Sequence, residues 1–217
     1  SVIQTRPQWL LRSQPLLDIE KIKGFKSVTQ QQIIRFWLKL QRLPIPGRVL
    51  LEKIFVEVIH ARVDANPLLC WPGCELRRYR GLLCASRPQP KTLPISGVYW
   101  NWLHNPHCVH QQLGDLYVKG AAELDVTCAD LPNEALEVRT RECIDPSLKI
   151  SIAGRVGSKS LKRWLQEFGV PPWLRDQVPF IFFQDKMIAA PNLWVCTEFV
   201  AKNNDGYQMS WDRVIYS

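Results

Sequence analysis

The sequence predicts an α+β protein: a small, mostly helical domain with a β-hairpin, followed by a β-rich domain that carries one main basic helix. Three observations predict it. Between residues 29 and 62 two runs place apolar residues at helical spacing. Beyond residue 67 the period falls to two, in short segments bounded by turn residues. One amphipathic stretch interrupts those segments, SLKRWLQEFGVPPWLRD at 160–176.

In chain order, Thr29 precedes QQIIRFWLKLQRL, where Ile33, Phe36, Trp37 and Leu40 form one stripe. Its hydroxyl can accept from the free N–H groups of a first turn, so Thr29 is the expected cap. Pro44-Ile45-Pro46-Gly47 stops that helix. RVLLEKIFVEVIHAR follows as a second helix, with Leu50, Ile54, Val58 and Ala61 on its stripe. LLCW, a Pro72-Gly73 turn, ELRRYRG and LLCAS then read as strands. SRPQPKTLP at 86–94 holds three prolines and no apolar period, which marks a linker. Past it, YWNWL, LYVKG, ELDVTC, LEVRT and LKISIA alternate as strands. After the basic helix come FIFF, a Gln184-Asp185 turn, KMIAA and LWVC, and the tail YQMSWDRVIYS returns at a sheet edge. Trp37, Trp164 and Trp194 fall on core stripes.

The chain has 217 residues, is 46% apolar and carries a net charge of +8. A basic balance favours polyanionic partners, nucleic acid first. Residues 28–90 hold ten Lys/Arg against four acids and residues 151–190 six against three, while 91–150 are acidic. No apolar run approaches the roughly 20 residues that span a bilayer. Seven scattered cysteines without a CxxC pair suggest reduced thiols. The start SVIQTRPQWL has no Met and no apolar signal core, so a soluble, cytoplasmic piece of a longer chain is expected.

Two segments concentrate cations. In GRVGSKSLKRWLQEFGVPPW, Gly154 and Gly157 permit close backbone approach, Ser158 or Ser160 can cap the helix, and Arg155, Lys159, Lys162 and Arg163 crowd its start. Cations oppose the positive end of a helix dipole, so an anion is expected there. Gly169 and Pro171-Pro172 end the helix, and Arg175 follows. In CELRRYRG, alternation would set Arg78 with Arg80 on one face and Arg77 with Tyr79 on the other. Arginine pairs with phosphate bidentately and stacks on bases.

HNPHCVH gathers His104, His107, Cys108 and His110. Structural zinc uses two spaced ligand pairs, and this is one tight group around Pro106, so no metal site is assigned. Phosphate-binding glycine loops, GxSxG and HExxH are absent from the sequence. No catalytic residue is assigned.

On these residues the chain resembles the C-terminal part of tRNA(Ile)-lysidine synthetase. QQIIRFWLKLQRLPIPGRVLLEKI and ARVDANPLLCWPGCELRRYRGLLC are similar to that family's first C-terminal domain. GRVGSKSLKRWLQEFGVPPWLRDQVPFIFFQDKMIAAPNLWV is similar to the second. Asn192 stands where that pattern usually has Gly, and Ser158 where another Gly or an Arg is common. The resemblance implies a division into a connecting segment (1–27), a helical tRNA-binding domain (28–87), a linker (88–97) and a β-rich domain docking the tRNA acceptor stem (98–217). It implies that the family attaches lysine to the wobble cytidine of a CAU-anticodon isoleucine tRNA. ATP and magnesium serve that ligation in an N-terminal pyrophosphate-loop domain that this sequence does not contain, so no cofactor is expected here. It implies tRNA-contact roles for Arg77, Arg78, Lys159 and Lys162, which match its motifs, and a homodimer formed through the full-length protein; Arg80, Arg155, Arg163 and Arg175, cations of the same basic segments, are expected to contact tRNA beside them, and no membrane partner is expected. Rival readings are a DNA-binding helix-turn-helix regulator, suggested by residues 29–62, and a protein-interaction module.

Overall fold

The computed structural model describes residues 3–4, 16–62, 65–88, 93–120, 128–202 and 206–213. The chain divides into two compact units, at Pro90 and Lys91. The expected strand ELDVTC lies outside the described residues except for Cys128, as does the tail beyond Arg213.

The first unit joins helices to a five-stranded antiparallel sheet. Its strands are β1 (Ile3–Gln4), β2 (Leu16–Asp18), β3 (Leu68–Trp71), β4 (Cys74–Tyr79) and β5 (Leu82–Ser86), in the order β1-β2-β5-β4-β3. Residues 16–23, expected to connect, belong to the body of the unit. Leu17, Ile19 and Ile22 are fully buried. Asp18 caps α1 (Ile19–Lys23), its carboxylate accepting from the N–H groups of Glu20 and Lys21 at 3.1 and 3.3 Å.

The next helix, α2 (Ser27–Leu40), starts at Lys26, so Thr29 lies inside its first turn rather than at the cap. Its buried stripe is Ile34, Trp37 and Leu38, one step from the expected one, and Phe36 and Leu40 point outward at 60% and 53% exposure. The second helix is α-helical only over α3 (Arg48–Lys53) and continues as a π-helical segment, Ile54–Ile59. The wider turn brings Leu51, Ile54, Val58 and Ile59 to the core instead of Leu50 and Ala61. Trp71 Nε1 donates to the Pro44 carbonyl at 2.9 Å and ties the β3–β4 hairpin to the proline turn. At the β3–β4 turn Gly73 has φ 78°, and a Cβ there would sit 3.0 Å from Pro44 Cγ, so glycine is required twice over. At the β4–β5 turn Arg80 and Gly81 both have positive φ, 50° and 78°, as two-residue hairpins prefer.

The second unit is β-rich. One sheet runs β14 (Trp194–Val195), β13 (Lys186–Ala190), β12 (Phe180–Phe183), β9 (Leu136–Arg139), β6 (Val98–Trp100), all antiparallel. A second places β8 (Gly114–Gly120) between β7 (His107–His110) and β15 (Tyr207–Arg213), which is an edge. A ribbon, β10 (Lys149–Ser151) with β11 (Ser158–Ser160), leads into α4 (Leu161–Glu167). Part of the expected linker is ordered on this unit: Ile95 is buried, its N–H donating to Thr140 Oγ1 at 2.8 Å while its carbonyl accepts from the Thr140 N–H at 2.9 Å.

Three buried indoles here supply polar anchors as well as volume. Trp164 Nε1 donates to the Ile150 carbonyl at 2.9 Å, Trp211 Nε1 to Leu113 at 2.7 Å and Trp102 Nε1 to Pro132 at 3.0 Å. Asn192 has φ 63°, a left-handed conformation that favours glycine. Asparagine tolerates that conformation, and its Nδ2 donates to the Trp211 carbonyl at 2.7 Å.

Candidate nucleic-acid interface

The basic helix is built from the β10–β11 ribbon upward. Gly154 and Gly157, at φ 70° and 82°, turn the chain back tightly. Arg155 and Val156 stand exposed at the tip, Val156 at 94%. Strand β11 then passes directly into α4. Ser160 holds the N-cap position, but neither it nor Ser158 caps the helix with its side chain. Leu161, Trp164 and Leu165 face inward and Lys162, Arg163 and Gln166 outward. The far end closes by a complete Schellman motif. Gly169 N–H donates to Gln166 at 3.1 Å and Val170 N–H to Leu165 at 2.8 Å, with Gly169 at φ 75°. Pro171 then leads into a 3-10 turn, Pro172–Gln177.

The predicted cations of this unit divide by what they touch. Lys159 Nζ pairs with Glu167 at 2.7 Å and lies 4.5 Å from the centre of the Trp164 ring, clamping the helix to its own ribbon. Arg175 Nε donates to the Val170 carbonyl at 3.0 Å, bracing the turn after the helix. Arg155, Lys162 and Arg163 are exposed and join no ion pair among the described residues. α4 is only seven residues long, and the start of the helix is assigned no phosphate site of its own. The exposed side chains carry the charge instead.

In the first unit the ELRRYRG arginines do not share one surface. Arg78 points inward with Cys74 and Leu76 and is 8% exposed. Its Nη1 donates to the carbonyls of Ala61 at 2.7 Å and of Val58 and Ile59 at 3.3 Å, closing the end of the π-helical segment. Arg78 as an RNA contact is therefore corrected: the side chain is buried and its Nη1 is bonded inside the fold. Arg77 is half-buried and bonds Glu75 at 3.1 Å. Arg80 does not share a face with Arg78, because the strand ends at Tyr79. It is exposed at the turn, 5.4 Å from the Tyr79 ring centre.

The cations of α2 form a further basic group, absent from the residues singled out above. Arg35 and Lys39 lie on the outer side of the helix and Arg42 just past its end, all exposed. From Lys21 to Leu51 the chain has seven Lys/Arg and no Asp or Glu. That acid-free run is the mark this group leaves in the sequence.

The helix-turn-helix reading loses its basis. Most inward residues of α3 and the π-helical segment belong to one core with α2, β4 and β5, and a π-helical end braced by Arg78 is no straight recognition helix. The histidine cluster disperses. His107 stacks on Tyr117 at 4.4 Å, His110 Nδ1 accepts from the Leu113 N–H at 3.3 Å, and His104 Nδ1 lies 3.1 Å from Asn101 Oδ1. Among the described residues no three His, Cys, Asp or Glu side chains are placed to share a metal ion. All seven cysteines are free, and burial pushes the thiols of Cys74, Cys84 and Cys196 up to about 12. No helix among the described residues is long and apolar enough to cross a membrane.

Two family models match the chain: the TilS substrate binding domain at residues 17–84 and the TilS substrate C-terminal domain at 136–211. A tRNA(Ile)-lysidine synthase of Shigella flexneri is 34% identical over 206 residues, 94% of this chain and 45% of that protein. Its counterpart in Escherichia coli O157:H7 is 34% identical over 92% of this chain and 44% of its own length. The chain thus spans somewhat less than half the length of these relatives. A crystal structure of a TILS C-terminal domain overlaps 54% of this chain and 92% of its own, with 17% identity and a TM-score of 0.37.

Proposed function

The chain belongs to the TilS family, of which it carries the substrate-binding and C-terminal domains, and we propose that it is the tRNA-docking part of a tRNA(Ile)-lysidine synthase. The observation that supports this best is the pair of domain matches in the right order, each on one of the two units. The substrate is an isoleucine tRNA with a CAU anticodon. Lysine is joined to its wobble cytidine by ATP-dependent, magnesium-assisted ligation in a catalytic domain outside this chain. The longer protein acts in the cytoplasm and pairs as a homodimer. The two units of this chain hold the tRNA and help separate it from methionine tRNAs.

Exposed side chains favour Arg155, Lys162 and Arg163 as phosphate contacts in the second unit and Arg80 in the first. Lys159, Arg175 and Arg77 act through the surfaces they brace. A-form RNA is recognised largely through shape, 2′-OH and phosphate, which suits cations on a helix fixed at both ends. The test is equilibrium binding of this chain to CAU-anticodon isoleucine tRNA, methionine tRNA and duplex DNA at two salt concentrations. Tightest binding to the isoleucine tRNA is expected. Lys162→Glu with Arg163→Glu should lower the salt slope by about one unit for each phosphate that is no longer neutralised. An unchanged slope removes α4 from the interface, and equal binding to all three polyanions refutes a role in discrimination.

A further inference from the structure

We propose that the outward side of α2 is a second RNA-binding surface, which takes a single-stranded loop: Arg35, Lys39 and Arg42 hold phosphates and Phe36 stacks on an unpaired base. The inference rests on the reading that this chain docks tRNA.

Four observations carry it. The first is charge segregation: seven cations and no acid between Glu20 and Glu52 leave this stretch with nothing of its own to neutralise it. Two exposed cations at the borders of this stretch are paired locally, Lys23 with Glu20 at 2.8 Å and Arg48 with Glu52 at 3.2 Å. Arg35, Lys39 and Arg42 join no ion pair among the described residues. The second is register. Arg35 and Lys39 are one turn apart, and Val28, Gln32 and Phe36 follow each other at the same four-residue interval on the same exposed side.

The third is Phe36 itself. It is 60% exposed beside Trp37, which is fully buried in the core of the unit. An aromatic ring flanked by exposed cations offers a base a stacking face and its phosphates a counter-charge. Double-stranded RNA presents no free base face, whereas unpaired loop bases are routinely stacked on aromatic side chains. The fourth is the helix end. Leu43 N–H donates to Leu38 at 3.0 Å around Arg42, which takes the left-handed position at φ 54°. Glycine is the usual occupant of that position in such an end. An arginine there accepts steric strain and aims a cation off the last turn.

The test uses the whole chain with three probes: a tRNA transcript, a hairpin RNA with an unpaired loop, and a blunt RNA duplex of equal length. Arg35→Glu with Lys39→Glu should weaken tRNA and hairpin binding about tenfold and lower the salt slope by about 1.5. Phe36→Ala should weaken hairpin binding on the order of tenfold while leaving duplex binding and the slope unchanged. All three side chains are exposed, so the thermal transition of each variant should match the wild type. Wild-type affinity in the double variant, or equal weakening on hairpin and duplex in Phe36→Ala, overturns the proposal and leaves tRNA docking standing. Failure of the unaltered chain to bind tRNA at all defeats both.

Discussion

Replacing Arg78 with methionine separates a structural arginine from an RNA-contacting one. Nη1 carries two N–H groups and meets three carbonyls, so one proton serves Ala61 at 2.7 Å and the other is shared between Val58 and Ile59 at 3.3 Å. Methionine keeps much of the packing volume and provides neither donor. Two charge-assisted bonds at about 1.5 kcal/mol each amount to a loss of about 3 kcal/mol. For a unit of this size, that corresponds to a fall in melting temperature of roughly 12 to 24 °C. Calorimetry of the whole chain should show one transition moving and the other staying. Amide exchange at residues 54–62 should accelerate in the variant. Lysine at 78 should recover only part of the stability, because one ammonium cannot reproduce the planar fork. A variant with the wild-type transition and weakened tRNA binding would refute the reasoning and return Arg78 to the interface.

Two further outcomes follow from the second unit. Asn192→Gly should stay within about 1 kcal/mol of wild type, since glycine relieves the φ of 63° while the bond to Trp211 disappears; Asn192→Val, which can do neither, should cost about 2 kcal/mol or more in urea unfolding. Glu137 bonds Arg139 at 2.6 Å and accepts from the Gly97 N–H at 3.0 Å, and the Arg139 guanidinium chiefly holds its carboxyl below the usual range. A depressed carboxyl gives its stability in full above the unfolded glutamate value and loses it as pH falls toward the folded one. Glu137→Gln should therefore be less stable than wild type at neutral pH, with the gap closing in acid; a gap constant with pH would show that the pair contributes nothing through charge.

Much of the fold is legible in the sequence because its signals are local. The Pro44 and Pro72-Gly73 turns, the change of period after residue 67 and the Gly169 stop each depend on a few adjacent residues. What escaped depends on contacts distant in sequence. IIRFWLKL is apolar on nearly every side, so period alone cannot choose between Phe36 with Leu40 and Ile34 with Leu38; packing in the assembled core decides. The π-helical segment then shifts the second stripe, an adjustment with no composition signature. In the strand Arg78 shares its face with Cys74 and Leu76, and an arginine on an otherwise apolar inner face signals a buried partner. The carbonyls it serves lie 17 to 20 residues earlier and could not be read from the strand.

The same distinction governs the cations as a group. Counting basic residues near a helix treats Lys159, Lys162, Arg163 and Arg175 alike, yet two of them have work inside the unit. Lys159 is held by Glu167 and the Trp164 ring, and Arg175 by the Val170 carbonyl. A phosphate approaching Lys159 must compete with a carboxylate already 2.7 Å away, whereas one approaching Lys162 or Arg163 displaces only water and counterions. Counterion release is the source of salt-dependent affinity, so exposed side chains outside any local ion pair carry most of it. By that criterion Arg155, Lys162 and Arg163 in the second unit, and Arg35, Lys39 and Arg42 in the first, are where charge reversal should change the salt slope most. Reversal at Lys159 or Arg175 should instead appear first in the stability of the second unit.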